Sequence, residues 1–407
     1  MSDGARRVAL LVSADLTDGR PVRGGVVRVA QFLWSQLEAT GRYRPHLVSV
    51  ATSAADRFSV RLVAPRSWRG RRRLLHTMDW AGYPLTHGGC VFPEFEFQRY
   101  MPRRELTRFL NGFDLVQVIT GTPAIGYTAR DVAVPVCLQV ATTARLERRH
   151  VLRSAGWLRR LNGRLMLPVV EKIERKALAL ARHVFADTEY TANALAGLVP
   201  PERMTVDTIG VDAELFAPGE TRADDYILCV GRLSDPRKNV RLLFDAYQRL
   251  RETLDTAPRL VLAGMAAPSE VDWTHAAALG LRDQVVFHAS PGPERLAELY
   301  RNAAMYVLSS NEEGLGIVLL EALASATPVV STRCGGPEYV VTPDVGLLTP
   351  VGDAAALSAA MAQLWRSPQK RREMGEAGRR MILERFADAV VGRKFLDVYD
   401  RLVQGAG

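Results

Sequence analysis

The sequence has few cysteines and few lysines, and it lacks a long uncharged apolar run. The cysteine spacing and the lack of such a run exclude certain metal sites and membrane-spanning segments. Its four cysteines lie at least 47 positions apart, which leaves no Cys-x-x-Cys pair or zinc-knuckle spacing. A reduced, cytoplasmic setting is therefore expected. No stretch approaches the roughly 18 uncharged apolar residues of a membrane span. The first apolar run stops at Asp15, and we interpret it as a strand rather than a secretory segment.

The excess of positive over negative charge lies in the first half of the chain. Residues 1–220 hold 31 Lys and Arg against 21 Asp and Glu, whereas the remainder holds 22 against 23. Arginines cluster within residues 66–73 and 145–164. Such clusters attract phosphate-rich partners or anionic membranes, although solvated helix faces are equally common. Nucleic acid is not an expected partner, because no recognition helix, zinc finger or aromatic RNA motif accompanies the charge.

Apolar runs of strand length alternate twice with amphipathic stretches of helical length, which predicts an α/β fold with parallel sheets. The predicted domains are residues 1–204 and 205–386, with a turn-prone junction around 214–225. Residues 387–407 are expected to form a helix that packs back across the domain junction. The predicted strands are Val8–Ser13, His46–Val50, Leu115–Ile119, Val134–Val140, His183–Ala186, Tyr226–Val230, Arg259–Ala263, Gln284–Phe287, Met305–Leu308, Pro328–Ser331 and Gly346–Leu348.

Loops that follow strands should carry the chemistry, because strand carboxyl ends and helix N-termini converge in such folds. Gly24 and Gly25 precede a predicted helix, where backbone N–H groups can approach an anion, although Gly-Gly is also an ordinary turn. Arg232 and Lys238 flank another loop and can present two cations to one diphosphate. The alternative is two solvated surface cations.

Two glutamates in the second half point to a ligand with hydroxyl groups. Glu313 lies in a loop after a strand, beside the backbone of Gly314, Leu315 and Gly316. Glu321 lies in the middle of a helix that is apolar nearly all round and is therefore expected to be buried. A buried carboxylate needs a partner. A sugar diol that donates two hydrogen bonds would serve, as would a buried arginine.

These motifs resemble the retaining glycosyltransferases of family 4, which have the GT-B fold. The resemblance rests on EEGLGIVLLEALASATPVV from residue 312 and GRLSDPRKN from residue 231, and it covers residues 205–365 specifically but 1–204 only loosely. It implies two Rossmann-like domains that face each other across a cleft. It also implies a bacterial enzyme of polysaccharide biosynthesis that uses a nucleotide-sugar donor without a metal or other cofactor.

Site roles follow from the resemblance, position by position. Arg232 and Lys238 would hold the donor's diphosphate, Glu313 would contact the transferred sugar, and Glu321 would bind the ribose hydroxyls. Backbone amides of Gly314, Leu315 and Gly316 would assist at the sugar and phosphate, and Gly24 and Gly25 would approach the phosphate from the other domain. The base would be lined by Phe287, His288, Ala289 and Ser290.

The acceptor side departs from the family pattern. Ala141 stands where family members commonly carry a histidine near the reacting sugar, with Thr142 beside it, and Gln117 stands where a second histidine is often found. The resemblance nevertheless implies a retaining, metal-independent hexosyltransferase that acts on a hydroxyl acceptor, of which lipid-linked and polysaccharide intermediates are the candidates. The first-half arginines favour peripheral contact with the inner face of an anionic membrane. The alternative is a non-catalytic partner protein that binds a sugar nucleotide.

Overall fold

The computed structural model describes residues 4–14, 16–17, 25–70, 74–148, 157–207, 209–219 and 226–405. The chain divides into two compact units, the first made of residues 1–209 and 392–407 and the second of residues 210–391. The division at 209/210 lies five residues beyond the boundary expected from sequence. Part of the expected junction, residues 220–225, lies outside the described residues.

Fourteen strands lie in the described part of the chain. They are β1 Arg6–Val12, β2 Tyr43–Val50, β3 Leu75–Trp80, β4 Tyr83–Gly88, β5 Leu115–Thr120, β6 Val136–Val140, β7 His183–Ala186, β8 Met204–Val206, β9 Tyr226–Arg232, β10 Arg259–Ala266, β11 Val285–Ala289, β12 Met305–Leu308, β13 Val329–Thr332 and β14 Gly346–Thr349. The helices are α1 Gly25–Ala39, α2 Arg104–Leu110, α3 Trp157–Leu180, α4 Glu189–Leu195, α5 Val240–Thr253, α6 Glu270–Ala278, α7 Pro293–Arg301, α8 Ile317–Ala324, α9 Pro337–Val340, α10 Ala354–Trp365, α11 Pro368–Met381 and α12 Asp388–Gln404.

The first unit is built on an eight-stranded sheet in the order β3-β4-β2-β1-β5-β6-β7-β8. All neighbours pair in parallel except β3 and β4, which form an antiparallel edge hairpin. Strand β5 is buried along its whole length, as expected where helices cover both faces of a parallel sheet. The five strands predicted for this half are present, whereas β3, β4 and β8 were not predicted.

The last helix, α12, begins in the second unit and belongs to the first unit from residue 392 onward. Its Phe395 ring stacks on Phe185 of β7 with the ring centroids 4.0 Å apart. The Tyr399 hydroxyl donates a hydrogen bond to the Gln117 side chain of β5 over 2.8 Å. Residues near the end of the chain therefore complete the core of the unit in which the chain begins.

The second unit contains a parallel sheet of six strands in the order β11-β10-β9-β12-β13-β14. Taken in chain order within this unit, the strands follow the 3-2-1-4-5-6 arrangement of dinucleotide-binding folds. All six strands predicted for this half are present. The strand order reverses between β9 and β12, so the loops that follow these two strands open at the same edge of the sheet. Ligands bind at this position in open α/β sheets.

No helix in the described part of the chain is both long and apolar enough to cross a membrane.

The buried hydrogen bond between Tyr399 and Gln117 gives a test of how strongly α12 stabilises the first unit. Substitution Tyr399→Phe leaves the Gln117 oxygen without this donor in a fully buried position. We expect the free energy of unfolding to fall by about 1–3 kcal/mol, measured by urea denaturation. Tyr339→Phe is the control, since the Tyr339 hydroxyl makes no hydrogen bond among the described residues. An equal loss in both variants would contradict the assignment.

Candidate functional site

Two loops converge where the strand order of the second unit reverses. The first follows β9 and runs from Arg232 to Asn239, and the second follows β12 and runs from Ser309 to Gly316. Strands β9 and β12 are parallel neighbours, so their carboxyl ends lie side by side. The convergence of the two loops is therefore a direct consequence of the sheet topology.

Lys238 and Glu313 meet at this convergence. The Lys238 ammonium lies 2.5 Å from Oε1 of Glu313, and the side chains are 15% and 13% exposed. The Ser310 hydroxyl donates to the same Glu313 oxygen over 2.6 Å. The Glu313 backbone is fixed as well, because its N–H donates to the Cys334 carbonyl and its carbonyl accepts from the N–H of Gly336. The carboxylate is thus held by a cation and a hydroxyl in a partly desolvated position.

Asn239 ties the two loops together at a second point. Its amide nitrogen donates to the Asn311 side-chain oxygen over 3.0 Å, and its side-chain oxygen accepts from Leu242 to cap helix α5. Asn239 has φ of 45°, in the left-handed region that asparagine tolerates better than most residues. The Ser309 hydroxyl also donates to the Lys238 carbonyl over 3.0 Å. These bonds fix the path of the backbone that carries Lys238.

Arg232 is placed differently from Lys238. Its side chain is 62% exposed and its guanidinium lies 3.5 Å from a carboxylate oxygen of Asp235. Asp235 also accepts two hydrogen bonds from the Arg237 side chain and one from its backbone. The structure therefore brings Lys238 and Glu313 together, while Arg232 is a solvent-exposed cation at the start of the same loop.

Glycines shape the backbone around this pair. Gly316 precedes α8 with φ of 80°, a conformation that strains other residues, so the start of α8 depends on it. Gly264 has φ of 150°, and a Cβ there would lie 1.9 Å from the Gly231 carbonyl oxygen. No side chain fits between β9 and β10 at this point. Gly314 and Leu315 complete the loop before α8, with Leu315 buried.

Glu321 lies inside α8 and is 2% exposed, as the sequence predicted. One of its carboxylate oxygens accepts a hydrogen bond of 2.7 Å from the hydroxyl of Tyr300, which is itself fully buried on α7. The partner seen in the structure is thus a tyrosine, which was not considered from the sequence. A ribose-binding role for Glu321 stays a prediction.

The segment predicted to line the base lies at the end of an edge strand. Phe287 and His288 are half-buried in β11, whereas Ala289 and Ser290 are exposed. The Ser290 N–H donates to the Gly264 carbonyl over 2.8 Å, and Ser290 has φ of 45°. Burial and the nearby Arg295 cation lower the pKa of His288, so its imidazole is neutral near pH 7.

One of the predicted acceptor-side residues lies in the core of the first unit. Gln117 is fully buried in β5, where its amide donates to the Val118 carbonyl and its side-chain oxygen accepts from Tyr399. An acceptor-side role for Gln117 stays a prediction. Gly25 is exposed at the start of α1, whereas Gly24 lies outside the described residues.

Ala141 and Thr142 follow β6, and both backbone N–H groups donate to the Gly121 carbonyl, over 3.2 and 2.9 Å. The Ala141 carbonyl accepts from the hydroxyl of Thr191. The Thr142 hydroxyl oxygen is buried and has no hydrogen-bond partner among the described residues. An acceptor-side role for Ala141 and Thr142 stays a prediction.

Glu174 binds the backbone just after Ala141 and Thr142, and sequence analysis did not identify it. It is buried on α3, and its carboxylate accepts the Ala144 N–H over 2.9 Å. Burial raises the pKa of Glu174 to about 7. The bond of Tyr300 to Glu321 was missed in the same way, because no linear pattern relates these two residues. The bond of Ser310 to Glu313 was also missed, although Ser310 lies only three residues before Glu313.

Among the described residues, no group of three or more His, Cys, Asp or Glu side chains is placed to hold a metal ion.

The family match of this chain lies within the second unit. Residues 212–381, most of the second unit, match the family described as glycosyl transferases group 1. The chain is 31% identical over 263 residues to the MMP alpha-(1->4)-mannosyltransferase of Mycolicibacterium hassiacum, which covers 63% of each chain. It is 34% identical over 226 residues to the D-inositol 3-phosphate glycosyltransferase of Kribbella flavida, covering 50% of this chain and 53% of that one. The chain thus spans less than two thirds of these curated relatives.

Solved structures show the fold over nearly the whole chain. Sucrose-phosphate synthase from Thermosynechococcus elongatus superposes with a TM-score of 0.73 at 19% identity and covers 98% of this chain and 100% of its own. HepE of Anabaena, solved with UDP and glucose, gives a TM-score of 0.68 at 16% identity and covers 97% and 100%. The expected GT-B class of two α/β units is confirmed.

Asn239 offers a test of the connection between the two loops. Asn239→Ala removes the cap and the bond to Asn311 and leaves a residue that disfavours positive φ, whereas Asn239→Gly removes the same contacts without that strain. We expect the alanine variant to be less stable than the glycine variant by about 1 kcal/mol in urea unfolding. Equal stabilities would contradict the account of this backbone.

The raised pKa of Glu174 predicts that the stability of the protein changes with pH in an unusual way. Because its pKa is raised to about 7 from 4.5, the folded state binds the proton more tightly than the unfolded state. Its contribution to stability therefore falls as pH rises between 4.5 and 7. Glu174→Gln, whose oxygen can still accept the Ala144 N–H, should be more stable than the parent at pH 8, by on the order of 3 kcal/mol, but not at pH 4.

Glu171→Gln is the control, because the pKa of Glu171 is shifted in the opposite direction from that of Glu174. Its hydrogen bonds with Arg145 lower the pKa of Glu171, so its carboxylate stabilises the fold above its unfolded pKa and that contribution is lost on acidification. Urea unfolding of both variants from pH 4 to 8 measures the two trends. Parallel pH profiles for Glu174→Gln and the parent would contradict the prediction.

Proposed function

We propose that the chain is a glycosyltransferase of group 1 that moves a sugar from a nucleotide diphosphate donor to a hydroxyl group of an acceptor. The observation that carries the proposal is the contact between Lys238 and Glu313 at the reversal of strand order in the second unit. The family match over residues 212–381 and the two mannosyl- and glycosyltransferase relatives support it. So does the shared fold with HepE, which was solved with UDP and glucose.

The chemistry follows from where charge develops. Breaking the bond between the anomeric carbon and the phosphate oxygen leaves an oxocarbenium-like sugar and a more negative diphosphate. Lys238 and the start of α8 can stabilise the leaving diphosphate, and Arg232 is free to move because its side chain is largely exposed. These cations can supply the required charge without a divalent ion, so the reaction is proposed to be metal-independent.

Glu313 has two functions in this scheme. In the protein without donor its carboxylate neutralises Lys238, which lowers the cost of keeping an ammonium in a partly buried position. With a donor bound, the diphosphate takes over the neutralisation of Lys238, and the Glu313 carboxylate accepts a hydrogen bond from a sugar hydroxyl. Ser310 keeps the carboxylate oriented during this exchange through its bond to Oε1.

The finer assignments are part of the proposal. Membership of family 4, transfer of a hexose and retention of anomeric configuration rest on the sequence motifs around Glu313 and Glu321. Backbone contacts of Phe287 to Ser290 are proposed to recognise the base, and Glu321 the ribose. The acceptor is proposed to be a lipid-linked or polysaccharide intermediate, with the protein in the cytoplasm at the inner face of an anionic membrane.

A non-catalytic partner protein that binds a sugar nucleotide is the second candidate. It is favoured by Ala141 and Gln117, which stand where the family commonly carries histidines. The two candidates differ in one measurable property. A transferase hydrolyses or transfers its donor, whereas a binding protein only binds it.

The decisive variants are Lys238→Ala and Glu313→Ala. Each removes one member of the pair and should lower the rate of sugar transfer or slow donor hydrolysis by roughly 10²–10³-fold, by analogy with the loss of one preorganised charge-stabilising group. Released nucleoside diphosphate is measured by coupled assay or chromatography. Arg241→Ala is the control, because Arg241 is an exposed cation on α5 that pairs with Asp272.

The outcomes separate the hypotheses. Unchanged turnover in Lys238→Ala and Glu313→Ala would overturn the proposed site. Tight binding of a sugar nucleotide by the parent protein, with neither transfer nor hydrolysis across a panel of acceptors, would instead favour the non-catalytic partner.

A further inference from the structure

Helix α3 presents an unusual outward face to solvent. Its inner side packs into the core of the first unit through residues such as Val170 and Ile173. Its outer side nevertheless exposes three large apolar side chains spaced four residues apart. Leu161 is 50% exposed, Leu165 is 66% exposed and Val169 is 42% exposed. At this spacing the three side chains lie along one stripe of the helix.

The exposed charges of α3 beside this stripe are positive. Arg164 lies between Leu161 and Leu165, and Lys172 and Arg175 follow Val169; all three are exposed. The two acidic residues of the helix do not compensate them. Glu174 is buried, and Glu171 is half-buried and held by two hydrogen bonds from Arg145. The described outward side chains of α3 in this region are therefore apolar or positive.

This pattern is typical of helices that bind an anionic lipid surface. Residues 161–175 of a helix span about 21 Å at 1.5 Å per residue, long enough to lie along a bilayer interface. Apolar side chains of such a helix enter the boundary between headgroups and acyl chains, and the long basic side chains reach the anionic headgroups. Nucleic acid would match the cations but would leave Leu165 and its neighbours exposed to water.

We propose that the outward face of α3, defined by Leu161, Arg164, Leu165, Val169, Lys172 and Arg175, docks on a bilayer that contains anionic phospholipid. This inference extends the membrane contact proposed above to one helix face. Docking on vesicles is measured without any sugar donor, so it can fail while sugar transfer stands, and the reverse also holds.

The test is co-sedimentation of the full chain with large unilamellar vesicles. Vesicles of phosphatidylcholine with about a third phosphatidylglycerol should retain the protein, and vesicles of phosphatidylcholine alone should retain much less. The double variant Lys172→Glu with Arg175→Glu should lower the partition coefficient about tenfold or more, since each basic residue near such a surface contributes about 1 kcal/mol. Leu165→Ser with Val169→Ser should lower binding to the same vesicles with no change in charge.

Matched controls lie on the second unit. Arg372→Glu with Arg380→Glu makes the same charge change on exposed positions of α11, and Val271→Ser with Leu383→Ser removes two exposed apolar side chains. These variants should bind vesicles as the parent does. Circular dichroism and unchanged donor hydrolysis show that the α3 variants are folded.

Four results would overturn the proposal. The first is equal binding to neutral and anionic vesicles. The second is parental binding by both α3 variants. The third is a concentration-dependent dimer, seen by light scattering in the absence of lipid, that the α3 substitutions abolish, since the face would then be covered by a second copy. Displacement of the protein from vesicles by duplex DNA, with no sensitivity to the Leu165→Ser pair, would assign the cations to nucleic acid instead.

Discussion

The short ion pair between Lys238 and Glu313 is the interaction on which the account of the second unit depends. It joins the loops after β9 and β12, and it places opposite charges in a position where both side chains are largely withdrawn from water. Breaking such a pair by removing one partner is costly, because the other charge remains partly buried. A second anion near Lys238 changes this balance, since it can replace Glu313 as the counter-charge. Topology, backbone hydrogen bonds and glycine conformations around the two loops all serve to hold this pair in place.

The first unit depends on a different constraint, because residues 392–407 come back to it after the second unit. Helix α12 supplies Phe395 and Tyr399, whose partners Phe185 and Gln117 lie more than 200 positions earlier in the chain. The outer layer of this unit also carries α3, whose inward side is apolar and whose acidic residues are buried or paired. Two buried polar side chains of the first unit, Gln117 and Glu174, thus bond to other parts of the same unit.

Much of the fold was predictable from sequence, because buried parallel strands are continuous apolar runs and the helices between them show regular amphipathic spacing. The edge hairpin β3–β4 was not, since its exposed outer strand has no such run. Lys238 and Glu313 were identified because both lie in loops that follow buried strands. The bond between Gln117 and Tyr399, 282 positions away, was not predicted because no local pattern relates such distant residues, and the acceptor-side role of Gln117 stays a prediction. The bonds of Asn239 to Asn311 and of Tyr300 to Glu321 were missed for the same physical reason. Ser310 lies only three residues before Glu313, so their spacing alone could have indicated this bond.

The most direct measurement of the central claim is the thermal unfolding temperature of the parent protein and of Lys238→Ala in the presence of UDP, GDP or ADP, each compared with its unphosphorylated nucleoside. A ligand at 100 times its Kd stabilises a protein by about 2.7 kcal/mol. The account predicts that one diphosphate raises the unfolding temperature of the parent, that its nucleoside does so much less, and that the Lys238 variant loses most of the difference. Equal shifts from nucleoside and diphosphate, or an undiminished shift in Lys238→Ala, would contradict it.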